Sequence, residues 1–150
     1  MKNEAKKIVI KNKKAYFLYE IHKKYEAGIE LQGTEVKSIR QNKISLADSY
    51  CKINKKQEIF ILNLNIATYD NGGYANHKPL RKRRLLLHKR EITRLRTKLQ
   101  EQGFTLIPLS VYFKRGWAKI ELGLGKGKKK FDKREKLKKQ QMTKDIKKYY

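Results

Sequence analysis

Apolar and polar residues alternate over most of the first 125 positions, in runs too short for long helices. Ile8-Val9-Ile10, flanked by lysines, reads as an edge strand, since flanking charge protects an unpaired edge. Asn12-Lys13-Lys14 breaks it. Ala15 to Ile21 is rich in aromatic residues and reads as a strand. Glu26 to Leu31 alternates, with Ala27, Ile29 and Leu31 on one side and Gly28 and Glu30 on the other, and reads as its antiparallel partner. Thr34, after Gly33, is expected to cap a short helix reaching about Asn42, with Val36 and Ile39 on one stripe. Asp48 to Asn54 and Glu58 to Ile66 read as a hairpin around a polar turn.

Ala67 to Arg84 has little periodicity, carries the turn residues Asp70-Asn71-Gly72-Gly73, and ends in Arg81-Lys82-Arg83-Arg84. The spacing of Ile92, Leu95 and Leu99 predicts a helix from His88 or Lys89 to about residue 102. Glu91 sits where a first-turn carboxylate helps, Gly103 closes the helix, and Lys89, Arg90, Arg94, Arg96 and Lys98 fill its exposed side. Phe104 to Phe113 and Trp117 to Leu124 are two strands around Lys114-Arg115-Gly116, with Pro108 marking an edge or a bulge. Short strands with two or three helices predict a mainly β fold: an OB-like antiparallel β-barrel with peripheral helices, a type that often binds single strands or irregular RNA.

At Gly123 to Arg134 the pattern changes. Three glycines, Gly123, Gly125 and Gly127, read as a hinge where the backbone loosens and passes close to a partner. Lysine then fills four of the five positions from Lys126 to Lys130, with Phe131 beyond. The expected division is a barrel over 1–125 and a basic tail over 126–150. In the tail, Asp132 and Glu135 resemble a capping box, and Met142, Ile146 and Tyr149 or Tyr150 share a helical face. A helix of that composition is marginal alone, so the tail is expected to be disordered when free and helical on a polyanion.

Charge changes the picture most. The chain has 39 Lys and Arg against 14 Asp and Glu, a net +25, of which the tail carries +9 and the body +16. A compact body with that excess repels itself until something neutralises it, and the first candidate is nucleic acid. No long apolar run or lipidation motif favours a membrane. Cys51 is the single cysteine and reads as an inert thiol in a reducing compartment; the first residues lack the apolar stretch of a secretory signal. His22, His77 and His88 are not spaced as metal ligands, and no phosphate loop or carboxylate pair stands out, so neither enzyme, metal site nor cofactor is expected. The binding chemistry falls on Arg81, Lys82, Arg83 and Arg84, on Lys126, Lys128, Lys129 and Lys130, on Phe131 as a stacking ring, and on Glu26, an acid within a basic chain and able to accept from base or ribose donors.

Several ordered blocks resemble the SmpB family of transfer-messenger RNA (tmRNA) binding proteins. They are Asn12 to Ala15, Tyr25 to Ser38, Asp48 to Tyr50, Arg84 to Glu91, and Gly125 to Lys129 followed by Asp132-Lys133-Arg134. Each is weak alone and together they are very specific. The resemblance implies a monomeric, cytoplasmic adaptor on an oligonucleotide-binding barrel. It would bind the tRNA-like domain of tmRNA and carry it to ribosomes stalled without a codon. The body would occupy the decoding region of the small subunit, and the tail the empty mRNA channel. The implied tmRNA contacts are Asn12, Glu26, Leu86, His88 and Lys119; the implied tagging positions are Asp132, Lys133 and Arg134. His88 stands where relatives often carry Asn, and Phe131 where some carry His. From composition, a structural ribosomal protein with a basic extension is the alternative, and an RNA-processing enzyme comes third.

Overall fold

Nine strands, three of them eleven residues long, and three α-helices make up the part of the chain that the computed structural model describes, residues 6–101 and 103–128. In order they are β1 (Lys7–Lys11), α1 (Lys13–Leu18), β2 (Tyr19–Ile29), α2 (Gly33–Arg40), β3 (Ile44–Ser45), β4 (Tyr50–Ile53) and β5 (Ile59–Leu62). There follow β6 (Asn65–Ile66), a 3-10 turn at Gly73–Ala75, β7 (Arg83–Leu86), α3 (Lys89–Gln100), β8 (Phe104–Lys114) and β9 (Trp117–Gly127). Seven strands form one antiparallel sheet in the order β1-β8-β9-β2-β7-β5-β4, and β3 pairs with β6 beside it. The fold is mainly β with peripheral helices, as the pattern predicts. The sheet curls until β4 lies beside β8, but no ladder of hydrogen bonds closes it. No helix among the described residues is long and apolar enough to cross a membrane.

The period-2 pattern places the core. Tyr25, Ala27 and Ile29 of β2, Ile59 and Ile61 of β5, Leu85 of β7 and Ile120, Leu122 and Leu124 of β9 turn inward together. Ile39 of α2 and Ile92 and Leu95 of α3 close over them. β8 is buried on both faces. Leu106 and Val111 join this core, while Ile107 and Leu109 pack with Ala15 of α1 on the other side. The switch comes at a bulge between Pro108 and Ser110, where proline cannot donate to a ladder. The turn between β8 and β9 has positive φ at Arg115 and Gly116 (54° and 77°), the twist a two-residue hairpin needs.

Four expectations change. Residues 13–18 form a helix, because the Asn12 side chain accepts from the Ala15 amide (3.3 Å) and only Ala15 is fully buried beneath it. The two strands expected at 15–21 and 26–31 are one strand, β2; a bulge between Ile21 and Lys23 interrupts its alternation. α2 is capped at Gln32, whose amide donates to the Glu35 carboxylate (2.8 Å), and not at Thr34. The Thr34 hydroxyl instead meets Nδ1 of the buried His77 (2.9 Å), whose Nε2–H donates to the Ile66 carbonyl (2.8 Å) and so leaves Nδ1 to accept. Lastly, Gly123 and Gly125 are not a hinge but lie inside β9. A Cβ on Gly125 would stand 2.7 Å from the Glu20 carbonyl oxygen, and one on Gly123 would stand 2.8 Å from Leu109 Cδ1. The close neighbour these glycines admit is the chain itself. The sheet runs on through Gly127, and the Lys128 amide donates to the Leu18 carbonyl (2.9 Å), past the boundary drawn at 125.

Candidate nucleic-acid interface

β2, β7, β9 and the start of α3 meet around Gly28. Gly28 pairs with Leu86 on one side and with Lys119 on the other. Alternation along β2 turns Tyr25, Ala27 and Ile29 into the core and so leaves Glu26 and Gly28 outside. A Cβ at Gly28 would stand 3.3 Å from that of Leu86, so glycine keeps the floor low. The result is an open depression of about 460 Å³ lined by Glu26, Gly28, Arg84, Leu86, His88 and Lys119 among others. Glu26, Leu86, His88 and Lys119, four of the five positions the resemblance assigns to tmRNA, are thus brought to one place.

Each brings a different chemistry. Leu86 is nearly half exposed (47%), an apolar ledge in a wet site. Glu26 accepts a hydrogen bond from the Tyr112 hydroxyl and faces Lys114 (3.5 Å) and Lys6 (4.0 Å). Partial burial alone would raise its pKa, but the Tyr112 hydrogen bond and the two ammonium groups outweigh that and hold the carboxyl below the usual range. It is an ionised acceptor fixed on one side and open on the other. Arg84 faces Glu58 at the rim (3.6 Å). His88 is exposed as the N-cap of α3, where the Glu91 carboxylate accepts its amide (3.4 Å). An anion, cations and an apolar ledge within one nucleotide-sized depression can take a phosphate, a sugar hydroxyl and a base edge together.

The remaining candidates separate. Arg83 is fully buried and therefore cannot hold a phosphate. It is ion-paired to the equally buried Glu35 and donates to the Leu64 (2.6 Å) and Pro79 (3.1 Å) carbonyls. Arg81 joins the same knot, donating to Glu35 (2.6 Å) and to the Glu30 carbonyl (3.3 Å). Burial would raise the Glu35 pKa, but hydrogen bonds from Arg81 and the Gln32 amide, with the charge of Arg83, hold it below its ordinary value. Of the basic run, then, Lys82, with its ammonium 4.3 Å from the Phe60 ring centre, and Arg84 face outward. Asn12 is spent on the protein: Oδ1 caps α1 and Nδ2 donates to the Pro108 carbonyl (2.9 Å). Lys126 lies over Phe104 (4.6 Å), and Lys128 donates to the Tyr16 carbonyl (2.8 Å). Lys129, Lys130, Phe131, Asp132, Lys133 and Arg134, and the helix expected in the tail, lie outside the described residues.

Sequence reasoning missed Glu35, Tyr112 and Trp117. Glu35 had a signal, an acid three residues after a cap position. Tyr112 had none. Trp117 is largely exposed (72%) and lines an adjoining recess of about 620 Å³ with Gly28, Leu86 and Lys119. Cys51 packs against the core from β4, and desolvation pushes its thiol up to about 12, as expected of an inert cysteine.

Comparison with known proteins adds to this geometry. The family model described as SmpB protein matches residues 9–150. The SsrA-binding protein of Thermosipho africanus is 54% identical over 144 residues, covering 95% of this chain and 96% of its own. That of Nostoc punctiforme is 51% identical over 146 residues, covering 97% and 94%. A solved chain from a structure described as "tmRNA-SmpB: a journey to the center of the bacterial ribosome" is 49% identical with a TM-score of 0.67, covering 81% of this chain and 85% of that one.

Proposed function

The chain belongs to the SmpB family, and from that premise we propose that it is the RNA-binding adaptor of ribosome rescue. It binds tmRNA through the tRNA-like domain and brings it to ribosomes stalled without a codon. The relatives are named for binding SsrA, and the solved neighbour for tmRNA and the ribosome. A structural ribosomal protein is not what these likenesses favour. The work is binding and not turnover, and its place is the cytoplasm, where ribosomes are. The tail beyond the described residues, with Asp132, Lys133 and Arg134, enters the empty mRNA channel.

The observation that carries the reading is the depression at Gly28. Lys119 and Arg84 take phosphates, Glu26 accepts from a ribose hydroxyl or a base amine, and Leu86 supports a base. Filter binding to the isolated tRNA-like domain tests it. Lys119→Gln should weaken binding and flatten the salt dependence by about 0.7 in log–log slope, one contact's share. Glu26→Gln keeps the shape and loses the charge, and should cost about 1.5–3 kcal/mol, the range for a hydrogen bond to an ionised group. Unchanged affinity in both variants would move the site elsewhere.

A further inference from the structure

Glu26 and Lys119 carry opposite charges and stand within reach of each other. Both lie on the outer face of the sheet, where Glu26 pairs with Glu121 and Lys119 with Gly28. That register makes them diagonal neighbours on adjacent strands, a spacing that long side chains bridge. Left to themselves, acid and ammonium would meet and neutralise one another, and the depression would offer an RNA neither. Yet the ammonium groups that face Glu26 are Lys114 (3.5 Å) and Lys6 (4.0 Å), and Lys119 is not among them.

The group that holds the carboxylate away is the Tyr112 hydroxyl. Tyr112 lies opposite Lys119 on β8, and β9 separates β8 from β2. Its phenol therefore crosses β9, between Lys119 and Glu121, to reach Glu26. The residue is almost wholly buried (1%), with the Lys6 ammonium 4.7 Å from its ring centre, so almost none of it is left to touch an RNA. Packing alone would be met by phenylalanine, which the chain uses at the next position, Phe113. A buried hydroxyl costs stability unless it finds an acceptor, and the acceptor here is Glu26. Burial first, and then the hydrogen bond and charge of Glu26, push the phenol's pKa up, so it keeps its proton and stays a donor.

We propose that Tyr112 is a positioning residue of the RNA site: it pins Glu26 away from Lys119, so that acceptor and cation meet the RNA separately. The inference rests on the reading of the Gly28 depression given above. An acceptor fixed before binding loses less side-chain freedom on binding, and Lys119 arrives with no ion pair to break. Without the hydroxyl, Glu26 falls back onto Lys119, and a single change silences both contacts.

The test is Tyr112→Phe in the full chain, alone and combined with Glu26→Ala, by filter binding to the isolated tRNA-like domain across a salt series. Alone, it should weaken binding about fivefold, the upper range for an exposed ion pair that must first be broken. It should also flatten the log–log salt slope by about 0.7, the share of Lys119. Beside Glu26→Ala no carboxylate is left to swing, so the same change should alter affinity by less than about twofold and leave the slope alone. A packing role would weaken both backgrounds alike, and that result overturns the proposal. So does unchanged binding by Tyr112→Phe alone. Should Tyr112→Phe not fold, the parent still answers: Glu26→Gln and Lys119→Gln should shift the urea midpoint additively, and non-additive shifts, the mark of a pair already formed, overturn the proposal as well. If Glu26→Ala by itself leaves binding intact, the reading of the depression fails first, and this proposal falls with it.

Discussion

Lys82 and Arg83 are neighbours in one basic run, yet Lys82, just before β7, is exposed and Arg83, the first residue of β7, is buried. Arg83 enters the core with no exposed surface and meets Glu35, also fully buried. Removing either partner leaves a charge in a low-dielectric site, so Arg83→Ala or Glu35→Ala should cost about 3–5 kcal/mol in urea unfolding. Lys82→Gln should stay within about 0.5 kcal/mol, as surface changes do. The pair also fixes an acid dependence. Glu35 titrates below an unfolded carboxylate, so the unfolded chain binds its proton first on acidification. The stabilisation is complete above about pH 4.3, the unfolded value, and is lost as pH falls through the lower folded one. Glu35→Gln should therefore be less stable at neutral pH and show a flatter acid limb; a parallel acid limb would take Glu35 out of this account.

At the scale of elements, the sequence declared whatever was local and periodic. α3 was readable from Ile92, Leu95 and Leu99, and the β8–β9 hairpin from its alternation, its turn residues and the bulge at Pro108. α1 was not, because six residues rich in aromatics carry a strand preference. Their helix depends on Asn12 being held to β8, whose Leu109 carbonyl takes the Asn12 amide (2.7 Å) from nearly a hundred residues away. β2 reads as two strands because a bulge breaks the period that marks a strand. Of the candidate site, Glu26 is marked by its residue type and Leu86, His88 and Lys119 only by the resemblance, while Gly28 as floor and Tyr112 as anchor follow only from cross-strand register. The same tie makes Asn12 testable: Asn12→Ala should cost about 0.5–2 kcal/mol through the lost cap. Asn12→Ser should recover part of it in thermal unfolding. Loss of tmRNA affinity by a fully stable Asn12→Ser protein would return this residue to the interface.

At the scale of the molecule, the question is where the folded body ends and what the remainder adds. Composition drew the line after Gly125. The sheet draws it later: β9 continues through Gly127, and Lys128 ties to α1 through both its amide and its ammonium. Cutting at 125 would strip the last pairs from β2 and β8, namely Lys126 with Glu20 and Phe104, and Gly127 with Tyr19. It would thus mix a folding defect with the loss of the tail. Cutting after Lys128 leaves the sheet whole and keeps +18 of the +25 charge. That truncated chain should bind the tRNA-like domain within a few-fold of the parent, because the Gly28 depression and its cations are untouched. It should nevertheless fail to support peptide tagging on stalled ribosomes, since no segment is left to enter the mRNA channel. Affinity and tagging measured on the one protein separate the two roles. A large fall in affinity would put part of the tmRNA site beyond Lys128, and retained tagging would remove the tail from the mechanism.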